Sequence, residues 1–295
     1  MMLASRRSAR SVRSSPGPRT PGEVPDQSEV VLATLRELGL RPSRRWGQSF
    51  LTDPFVADAE VALVGPCRTV VEIGGGLGIL TSALLRRGLD RLTVVERDPR
   101  LAAFLRKRFG DGIRLIVGDA LRIPVESAEC YVGNLPYSIA TPLLLRWMKA
   151  RVPRIVFMVQ REVAERLAAA PGSRAYGRLS IIAQLYGRLE LFRTVDPEAF
   201  VPRPRVESRI AVFEGRSDSL PVPSIPDFER IVRALFSSRR KQLGNLLARV
   251  AFTSRTAEDL ASRAGWPETW RHLRPEDLPP TAYFALARAV GEGSE

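Results

Sequence analysis

The sequence predicts a doubly wound α/β domain followed by a small all-helical domain. Two observations predict this fold. Short β-branched runs alternate with helical patterns from Arg68 onward, which is the order of elements in a parallel sheet covered by helices. Beyond a proline-rich stretch near residue 221, apolar residues recur instead at the i, i+3, i+4 spacing of helices.

The α/β part begins with five alternating elements. Strands are predicted at Thr69–Ile73, 92–96 and Arg114–Val117, and helices at 80–87 and Pro99–Phe109. The second helix has clear ends, because Asp98 can cap it, Pro99 suits its first position and Gly110 can end it. Further strands at 130–133 and 155–159 extend the sheet, which we expect to be mostly parallel and buried on both faces.

A linker is predicted where Pro221, Pro223 and Pro226 cluster. Helical patterns follow it at 228–249, 256–264 and 282–290. We therefore predict a ligand-binding α/β domain over 29–220 and a helical substrate-recognition domain over 221–295.

Residues 1–28 are predicted to be a disordered basic tail, because they are rich in Arg, Ser, Pro and Gly and have almost no apolar periodicity. Such a leader also resembles a mitochondrial transit peptide, and a basic RNA-binding arm or a misassigned start codon would give the same composition. The sequence leaves these alternatives open.

The charge balance indicates a polyanionic partner. Lys and Arg number 45 against 32 Asp and Glu, a net charge of +13. Only three of the basic residues are lysines, and guanidinium groups suit bidentate phosphate contacts, although a GC-rich genome would also favour arginine. The net charge is the same whichever of these two explanations accounts for the excess of arginine.

The remaining composition excludes several classes of chemistry. Cys67 and Cys130 are too few for a disulfide framework, so we expect two core thiols in a reducing compartment. His272 is the sole histidine, which argues against a histidine base or a metal site. The longest apolar runs, at 155–159 and 180–185, are strand-sized and far below the ~18 residues of a membrane span. We expect a soluble protein without metal.

Three consecutive strand ends carry groups that suit a nucleotide-like ligand. A glycine-rich turn, Gly74-Gly75-Gly76-Leu77-Gly78, follows the first strand, but it matches neither the dinucleotide fingerprint nor a P-loop. Glu96 ends the second strand, where it can accept from ribose hydroxyls. Asp119 and Ala120 follow the third, where a carboxylate can accept from an adenine amine. Turns often contain Gly and Asp, yet the three together predict S-adenosylmethionine binding.

The fourth strand ends in Asn134-Leu135-Pro136-Tyr137, which suggests methylation of an adenine amine. The N6 lone pair is delocalised into the ring, and two acceptors can localise it: the Asn134 side-chain carbonyl and the Leu135 backbone carbonyl. Pro136 favours an extended Leu135. Tyr137 offers a ring on which a flipped-out base can stack. In isolation, the same four residues could be a strand-terminating turn.

Five motifs in order resemble the KsgA-type family of small-subunit rRNA adenine dimethyltransferases, over roughly residues 40–290. They are Gly47-Gln48-Ser49-Phe50-Leu51, Glu72-Ile73-Gly74, Asn134-Leu135-Pro136-Tyr137, the segment from Phe200 to Ser208 that reads Phe-Val-Pro-Arg-Pro-Arg-Val-Glu-Ser, and Ser238-Arg239-Arg240-Lys241-Gln242-Leu243.

The resemblance implies a Rossmann-like class I methyltransferase sheet and a set of site residues. Cofactor contacts fall on Gln48, Ser49, Leu51, Gly74, Gly76, Glu96, Asp119, Ala120 and Asn134. Catalytic and base-flanking roles fall on Asn134, Leu135, Pro136, Tyr137 and Phe200. Two positions depart from the family: Ser49 stands where Asn is common, so we expect a weaker contact, and Gly75 stands where Pro is usual.

The implied substrate is two adjacent adenosines in a hairpin loop near the 3′ end of small-subunit rRNA, each receiving two methyl groups. Loop bases suit a flipping enzyme, because unstacking costs less there. The expected partner is this RNA or the assembling small subunit, bound by a monomeric, cytoplasmic protein. Phosphate contacts are expected from Arg44, Arg45, Arg203, Arg205, Arg239, Arg240 and Lys241, although each could also belong to a solvated surface.

Three other functions are compatible with parts of the sequence. A macrolide-resistance-type methyltransferase of large-subunit rRNA shares fold and chemistry, but the Phe200 loop favours the small-subunit family. A non-catalytic rRNA or mitochondrial binding factor of the same ancestry would not need the intact motif at 134–137. A small-molecule or DNA adenine methyltransferase lacks support from the C-terminal helices.

Overall fold

The computed structural model of the chain describes residues 27–42, 49–247 and 256–291. The predicted tail lies outside the described residues up to 26. Residues 27 and 28, which the prediction includes in the tail, lie in the first helix, which begins at Gln27.

Eleven α-helices and nine strands lie in these described ranges. The helices are α1 (Gln27–Glu37), α2 (Pro54–Ala62), α3 (Ile79–Arg86), α4 (Pro99–Phe109), α5 (Ala140–Lys149), α6 (Arg161–Ala168), α7 (Arg178–Tyr186), α8 (Ile225–Phe236), α9 (Leu243–Leu247), α10 (Ala257–Arg263) and α11 (Pro280–Gly291). The strands are β1 (Phe50–Leu51), β2 (Thr69–Ile73), β3 (Arg91–Glu96), β4 (Arg114–Val117), β5 (Cys130–Asn134), β6 (Arg154–Gln160), β7 (Gly187–Val195), β8 (Phe200–Val201) and β9 (Ser208–Gly215).

A seven-stranded sheet in the order β4-β3-β2-β5-β6-β9-β7 forms the centre of the fold. Strands β2 to β6 are parallel, as predicted, whereas β9 runs antiparallel to both β6 and β7. The strand order reverses between β2 and β5, and in open α/β sheets ligands bind at the carboxyl ends of the strands at such a switch point.

The predicted alternation of strands and helices is confirmed from β2 to β4, whereas β4 is followed by β5 without a helix between them. Helix α4 has the expected cap, since Asp98 Oδ1 accepts the Arg100 N–H at 2.9 Å and Pro99 occupies the first turn. The apolar run 180–185 lies in α7, not in a strand.

Alternating residues of the strands face two different layers. In β2, Val71 and Ile73 join a core formed with α5 to α7, whereas Val70 joins a core formed with α2 and α3. The first core continues into the C-terminal helices, where Phe228 and Tyr283 are fully buried. Tyr176 ties the two parts together by donating to the Leu278 carbonyl at 3.0 Å. One continuous apolar core therefore underlies α5–α7 and the C-terminal helices.

Cys67 and Cys130 are buried free thiols, as predicted. Among the described residues, no helix is long and apolar enough to cross a membrane, and no group of His, Cys, Asp and Glu side chains is arranged to hold a metal ion.

Candidate active site

A cavity of about 710 Å³ opens at the carboxyl ends of β2, β3, β4 and β5. This volume is in the range of small-molecule sites, roughly 300–1,000 Å³. Eleven of the residues predicted to act on cofactor or base line it: Ser49, Leu51, Gly74, Gly76, Glu96, Asp119, Ala120, Asn134, Leu135, Pro136 and Tyr137. The topology thus brings together groups that are up to 88 positions apart in sequence.

The glycine-rich turn after β2 forms the floor of the cavity. Gly74 and Gly76 have φ angles of 79° and 56°, which L side chains rarely adopt, and a Cβ on Gly74 would meet no atom within 4 Å. The backbone at Gly74 is therefore open to a ligand. Gly75 has a different role, because a Cβ there would lie 2.6 Å from Val94 Cγ1 and 2.8 Å from Leu105 Cδ1. Its missing side chain lets the turn pack against the sheet and α4.

Glu96, at the end of β3, is buried and fixed by three backbone donors. Its Oε2 accepts from Gly76 N at 2.9 Å, and its Oε1 accepts from Arg97 N at 2.7 Å and Asp98 N at 2.9 Å. Burial raises the pKa of Glu96, and these hydrogen bonds oppose the rise. An ionised carboxylate has about four lone-pair sites, so the fixed group can still accept from a ligand hydroxyl.

The loop after β4 presents Asp119 and Ala120 to the cavity. Asp119 Oδ1 accepts from Leu121 N at 3.0 Å, and its Oδ2 lies 4.0 Å from the Arg97 guanidinium. Arg146 of α5 supports the loop from behind, donating to the carbonyls of Ala120, at 2.7 Å, and Ile123. The loop is thereby held rigid at the wall opposite β5.

Residues of the N-terminal segment, Ser49 to Leu51, line part of the cavity. Strand β1 pairs with β8, with Leu51 opposite Phe200, and the Ser49 hydroxyl donates to the Pro202 carbonyl at 3.1 Å. Ser49 thus borders the cavity while its hydroxyl binds the protein's own backbone. Gln48, Arg44 and Arg45 lie outside the described residues.

The segment 134–137 forms the wall next to the switch point. Leu135 N donates to the Met158 carbonyl at 3.0 Å, and the Pro136 carbonyl accepts from Ile139 N and Ala140 N, both at 3.0 Å, at the start of α5. Within the described residues, neither the Leu135 carbonyl nor the Asn134 side chain has a hydrogen-bond partner. Both acceptors are therefore available on a backbone that is fixed on either side.

Tyr137 is half-buried beside these acceptors. Its hydroxyl lies 2.8 Å from the Ser208 hydroxyl. Burial raises the pKa of Tyr137, and the bond to Ser208 opposes the rise, so the phenol is neutral at physiological pH.

Phe200 does not have the position that the resemblance implies. Its side chain is 2% exposed and packs in the core with Val56 and Val195, not among the residues that line the cavity. The reason is the pairing of β8 with β1, which directs Phe200 inward and Val201 toward solvent. Phe200 therefore does not border the cavity in this structure, and its base-flanking role stays a prediction.

Two buried carboxyl groups lie near the turn, and neither of them was assigned a role from the sequence. Glu72 lines the cavity and accepts from the Thr81 hydroxyl at 2.7 Å, and burial raises its pKa to about 8. Glu60 of α2 is fully buried, and neither of its carboxyl oxygens has a partner in the described residues. Burial, aided by the nearby charge of Glu72, raises the pKa of Glu60 to about 8. Glu60 lies on an apolar face of its helix. In the sequence, the only sign of its burial is a glutamate at a position where the helical pattern calls for an apolar residue.

The five described basic residues that were predicted to contact RNA fall into three groups. Arg205, Arg240 and Lys241 are exposed. Arg203 is exposed but pairs with Glu198 at 3.1 Å. Arg239 is held against the fold, because it pairs with Glu276 and donates to the Arg174 carbonyl at 2.9 Å. These contacts give Arg239 a structural role, and its phosphate contact stays a prediction.

One wall of the cavity was not predicted from the sequence. Leu40 and Arg41, which follow α1, border the cavity, and Leu35 and Leu40 pack against Leu77 and Leu101. Arg100 fixes this segment by donating to the Gly39 carbonyl at 3.1 Å. The sequence did carry a signal for this wall, because apolar residues recur at helical spacing within 31–40, just after a stretch with no periodicity.

Comparison with known proteins identifies the family. The model of the family described as "Ribosomal RNA adenine dimethylase" matches residues 40–263. The chain belongs to this family. Membership makes it an rRNA adenine dimethyltransferase, as the resemblance carried by the five motifs implied.

Curated relatives cover most of the chain. The ribosomal RNA small subunit methyltransferase A of Anaeromyxobacter dehalogenans is 39% identical over 280 residues, which are 88% of this chain and 97% of the relative. A protein of Haloquadratum walsbyi, named "Probable ribosomal RNA small subunit methyltransferase A", is 39% identical over 268 residues, 88% of this chain and 90% of the relative. Members with this name thus match the chain over most of its length.

Solved structures share the fold. A dimethyladenosine transferase from Plasmodium falciparum superposes with a TM-score of 0.71 at 23% identity, covering 80% of this chain and 95% of that one. The 23S rRNA methyltransferase ErmE gives 0.65 at 23% identity, covering 82% and 99%. The class I methyltransferase fold predicted from the sequence is thereby confirmed.

Proposed function

We propose that this enzyme transfers methyl groups from S-adenosylmethionine to N6 of two adjacent adenosines in a hairpin loop near the 3′ end of small-subunit rRNA. The observation that carries the proposal is that the two unpartnered acceptors, Asn134 and Leu135, border the same cavity as Glu96 and Asp119. A cofactor site and a site for an amine nucleophile are therefore continuous.

The cavity residues fit S-adenosylmethionine. Glu96 is positioned to accept from ribose hydroxyls, Asp119 from the adenine amine, and the open backbone at Gly74 allows the methionine part to approach closely. Glu72 adds a buried carboxyl group on the wall of the cavity; burial raises its pKa to about 8, so the group is mostly neutral at pH 7, and a positively charged ligand would favour its ionised form. The cofactor, when bound, supplies an electrophilic methyl group.

The protein's own part in the reaction is to hold the amine. The Asn134 side-chain oxygen and the Leu135 carbonyl would accept the two N6 protons, which concentrates the nitrogen lone pair on the side facing the methyl donor. Tyr137 would stack on the base, a contact worth about 1–3 kcal/mol. Methyl transfer leaves a positive charge on N6, which then releases one proton to solvent, so no ionisable base is required before transfer.

The RNA would be held by exposed cations outside the cavity. Arg205, Arg240 and Lys241 support this part of the proposal, because none of them forms an ion pair with the described residues. Phosphate contacts of this kind orient the RNA, while the loop that accepts the flipped base selects the adenine. We further propose that the enzyme works as a monomer in the cytoplasm, on the assembling small subunit.

The proposal is tested by tritiated methyl transfer to under-methylated small and large ribosomal subunits, followed by nucleoside analysis. N6,N6-dimethyladenosine in small-subunit RNA alone is the expected result. Label in large-subunit RNA would instead support a 23S rRNA methyltransferase activity, the one by which ErmE is described. Label in neither would leave a binding factor and overturn the proposal.

A further inference from the structure

The hydroxyl groups of Tyr137 and Ser208 lie 2.8 Å apart, although the residues are 71 positions apart in sequence. Tyr137 borders the cavity. Ser208 is the first residue of β9, is fully buried, and does not line the cavity. The proposed reaction gives Ser208 no task of its own, so the bond requires a separate explanation.

The direction of β9 brings Ser208 to this position. Because β9 runs antiparallel to β6, its first residue pairs with Gln160, the last residue of β6. The carboxyl ends of β5 and β6 lie at the same edge, where Asn134 is opposite Met158. Had β9 been parallel, its carboxyl end would lie at this edge instead, and Ser208 would be at the other.

Ser208 is a rigid anchor, whereas Tyr137 lies in a turn. The Ser208 backbone is paired on both sides, with Gln160 of β6 and Val195 of β7. Tyr137 follows Pro136 in the turn before α5, and its long side chain is only half-buried. A hydrogen bond from the sheet to the far end of the ring therefore removes freedom that the turn alone would leave. A phenol hydroxyl prefers to bond in the plane of its ring, so a fixed partner also favours one ring plane.

We propose that Ser208 is a positioning residue for methyl transfer, holding the Tyr137 ring in the orientation that receives the flipped-out adenine. Side chains that contact a substrate act best when a second residue locks their rotamer, and the Ser208 hydroxyl does this from the rigid sheet. The inference rests on the proposed function, because it gives Tyr137 the task of stacking on the base.

The first test compares two serine variants. Ser208→Ala is expected to lower kcat for small-subunit RNA about tenfold, with the KM for S-adenosylmethionine unchanged. The matched control is Ser180→Ala, which also removes a fully buried hydroxyl, one that donates to the Arg166 carbonyl away from the cavity. The control should keep the wild-type kcat at a temperature where it is folded. Wild-type kcat in Ser208→Ala would overturn the proposal.

A double-mutant cycle separates positioning from stability. Tyr137→Phe keeps the ring but cannot bond Ser208, so it should lower kcat by a similar factor, and Ser208→Ala should cost little more in its presence. Ser208→Thr keeps the hydroxyl and should restore most of kcat. Additive losses would mean that the two residues act independently. If Ser208→Ala does not fold, wild-type kcat in Tyr137→Phe would still contradict the proposal.

A binding measurement distinguishes failure of this inference from failure of the proposed function. The probe is a small-subunit hairpin RNA with 2-aminopurine at the target position, whose fluorescence falls when the base stacks on a ring. Quenching should be strong in the wild type, weak in Tyr137→Ala and intermediate in Ser208→Ala. Equal quenching in Ser208→Ala and wild type overturns the role of Ser208, whatever the turnover. Absence of methyl transfer by the wild type overturns the function instead.

Discussion

The Glu96 carboxylate accepts the Gly76 N–H at 2.9 Å and so joins the ends of β3 and β2 across the floor of the cavity. The same carboxylate also accepts the N–H groups of Arg97 and Asp98. One side chain therefore fixes both the glycine-rich turn and the start of the loop into α4. Glu96 also lines the cavity, so its remaining lone pairs are available to a ligand there.

Glu96→Gln should weaken cofactor binding at least tenfold, which corresponds to about 1.4 kcal/mol. In the wild type, both carboxylate oxygens accept from backbone N–H groups. The amide of the variant would place an N–H group against such donors, so the turn and the ribose contact would lose an acceptor. Isothermal titration with S-adenosylmethionine measures the effect. The control is Glu214→Gln, which changes a surface glutamate that pairs with Arg154 at the opposite edge of the sheet. Equal affinity in the two variants would disprove the assignment of Glu96.

Gly75→Ala should destabilise the fold by about 1–3 kcal/mol, as overpacking of a tight core does. The new Cβ would lie 2.6 Å from Val94 Cγ1 and 2.8 Å from Leu105 Cδ1, so the turn or α4 must move. Urea denaturation measures the change in the free energy of unfolding. At Gly177, where φ is −174° and a Cβ would meet no atom within 4 Å, the same substitution should be nearly neutral. Similar losses at both positions would contradict the packing argument.

The buried carboxyl pair predicts an unusual pH dependence of stability. Burial raises the pKa of Glu60 to about 8 from an ordinary value of 4.5, so the folded state binds more protons than the unfolded state between these values. The stabilisation from this group is complete below about pH 4.5 and is lost as the pH rises through about 8.

Glu60→Gln removes this titration, so its free energy of unfolding should rise relative to wild type as the pH increases from about 4.5 to about 8, and the difference should level off above that. Denaturant unfolding at several pH values measures the difference. Glu37→Gln, on the exposed surface of α1, should leave the pH profile unchanged. Parallel profiles for wild type and Glu60→Gln would show that Glu60 does not titrate in this range.

Adjacent arginines in the segment 238–243 should behave differently. Arg239→Ala should lower Tm by about 2–4 °C, the shift expected for roughly 1 kcal/mol in a chain of this size, because Arg239 joins Glu276 and the Arg174 carbonyl. Arg240→Ala should leave Tm unchanged and instead reduce the slope of log Kd against log salt for RNA by about 1. If instead Arg239→Ala reduced the salt slope and Arg240→Ala lowered Tm, the phosphate contact would belong to Arg239.

Much of the fold and the site could be predicted because local signals agree with the topology. The strand boundaries of β2 and β4 and the ends of α4 follow from β-branched runs and from Asp98 and Pro99. The residues that end β2, β3, β4 and β5 meet because parallel strands place their carboxyl ends at one edge. Spacing and order in the sequence were sufficient for this part.

The remaining features depend on long-range packing that the sequence does not express locally. The antiparallel pairing of β9 with β6 decides that Ser208 reaches Tyr137, and the pairing of β8 with β1 decides that Phe200 is buried. The partner of Arg239 is Glu276, 37 positions away. A motif indicates the type of side chain, but only the tertiary contacts decide which of its members face the cavity.

The measurement that tests the central claim most directly is methyl transfer by Asn134→Ala, with RNA binding measured in parallel. Asn134 supplies one of the two acceptors for N6, so the variant should lose turnover by at least about a hundredfold, the scale of removing one preorganised polar group, while its Kd for RNA changes less than about threefold. Asn245→Ala, on an exposed asparagine of α9, is the control and should retain full activity. Turnover by Asn134→Ala equal to that of Asn245→Ala would contradict the account.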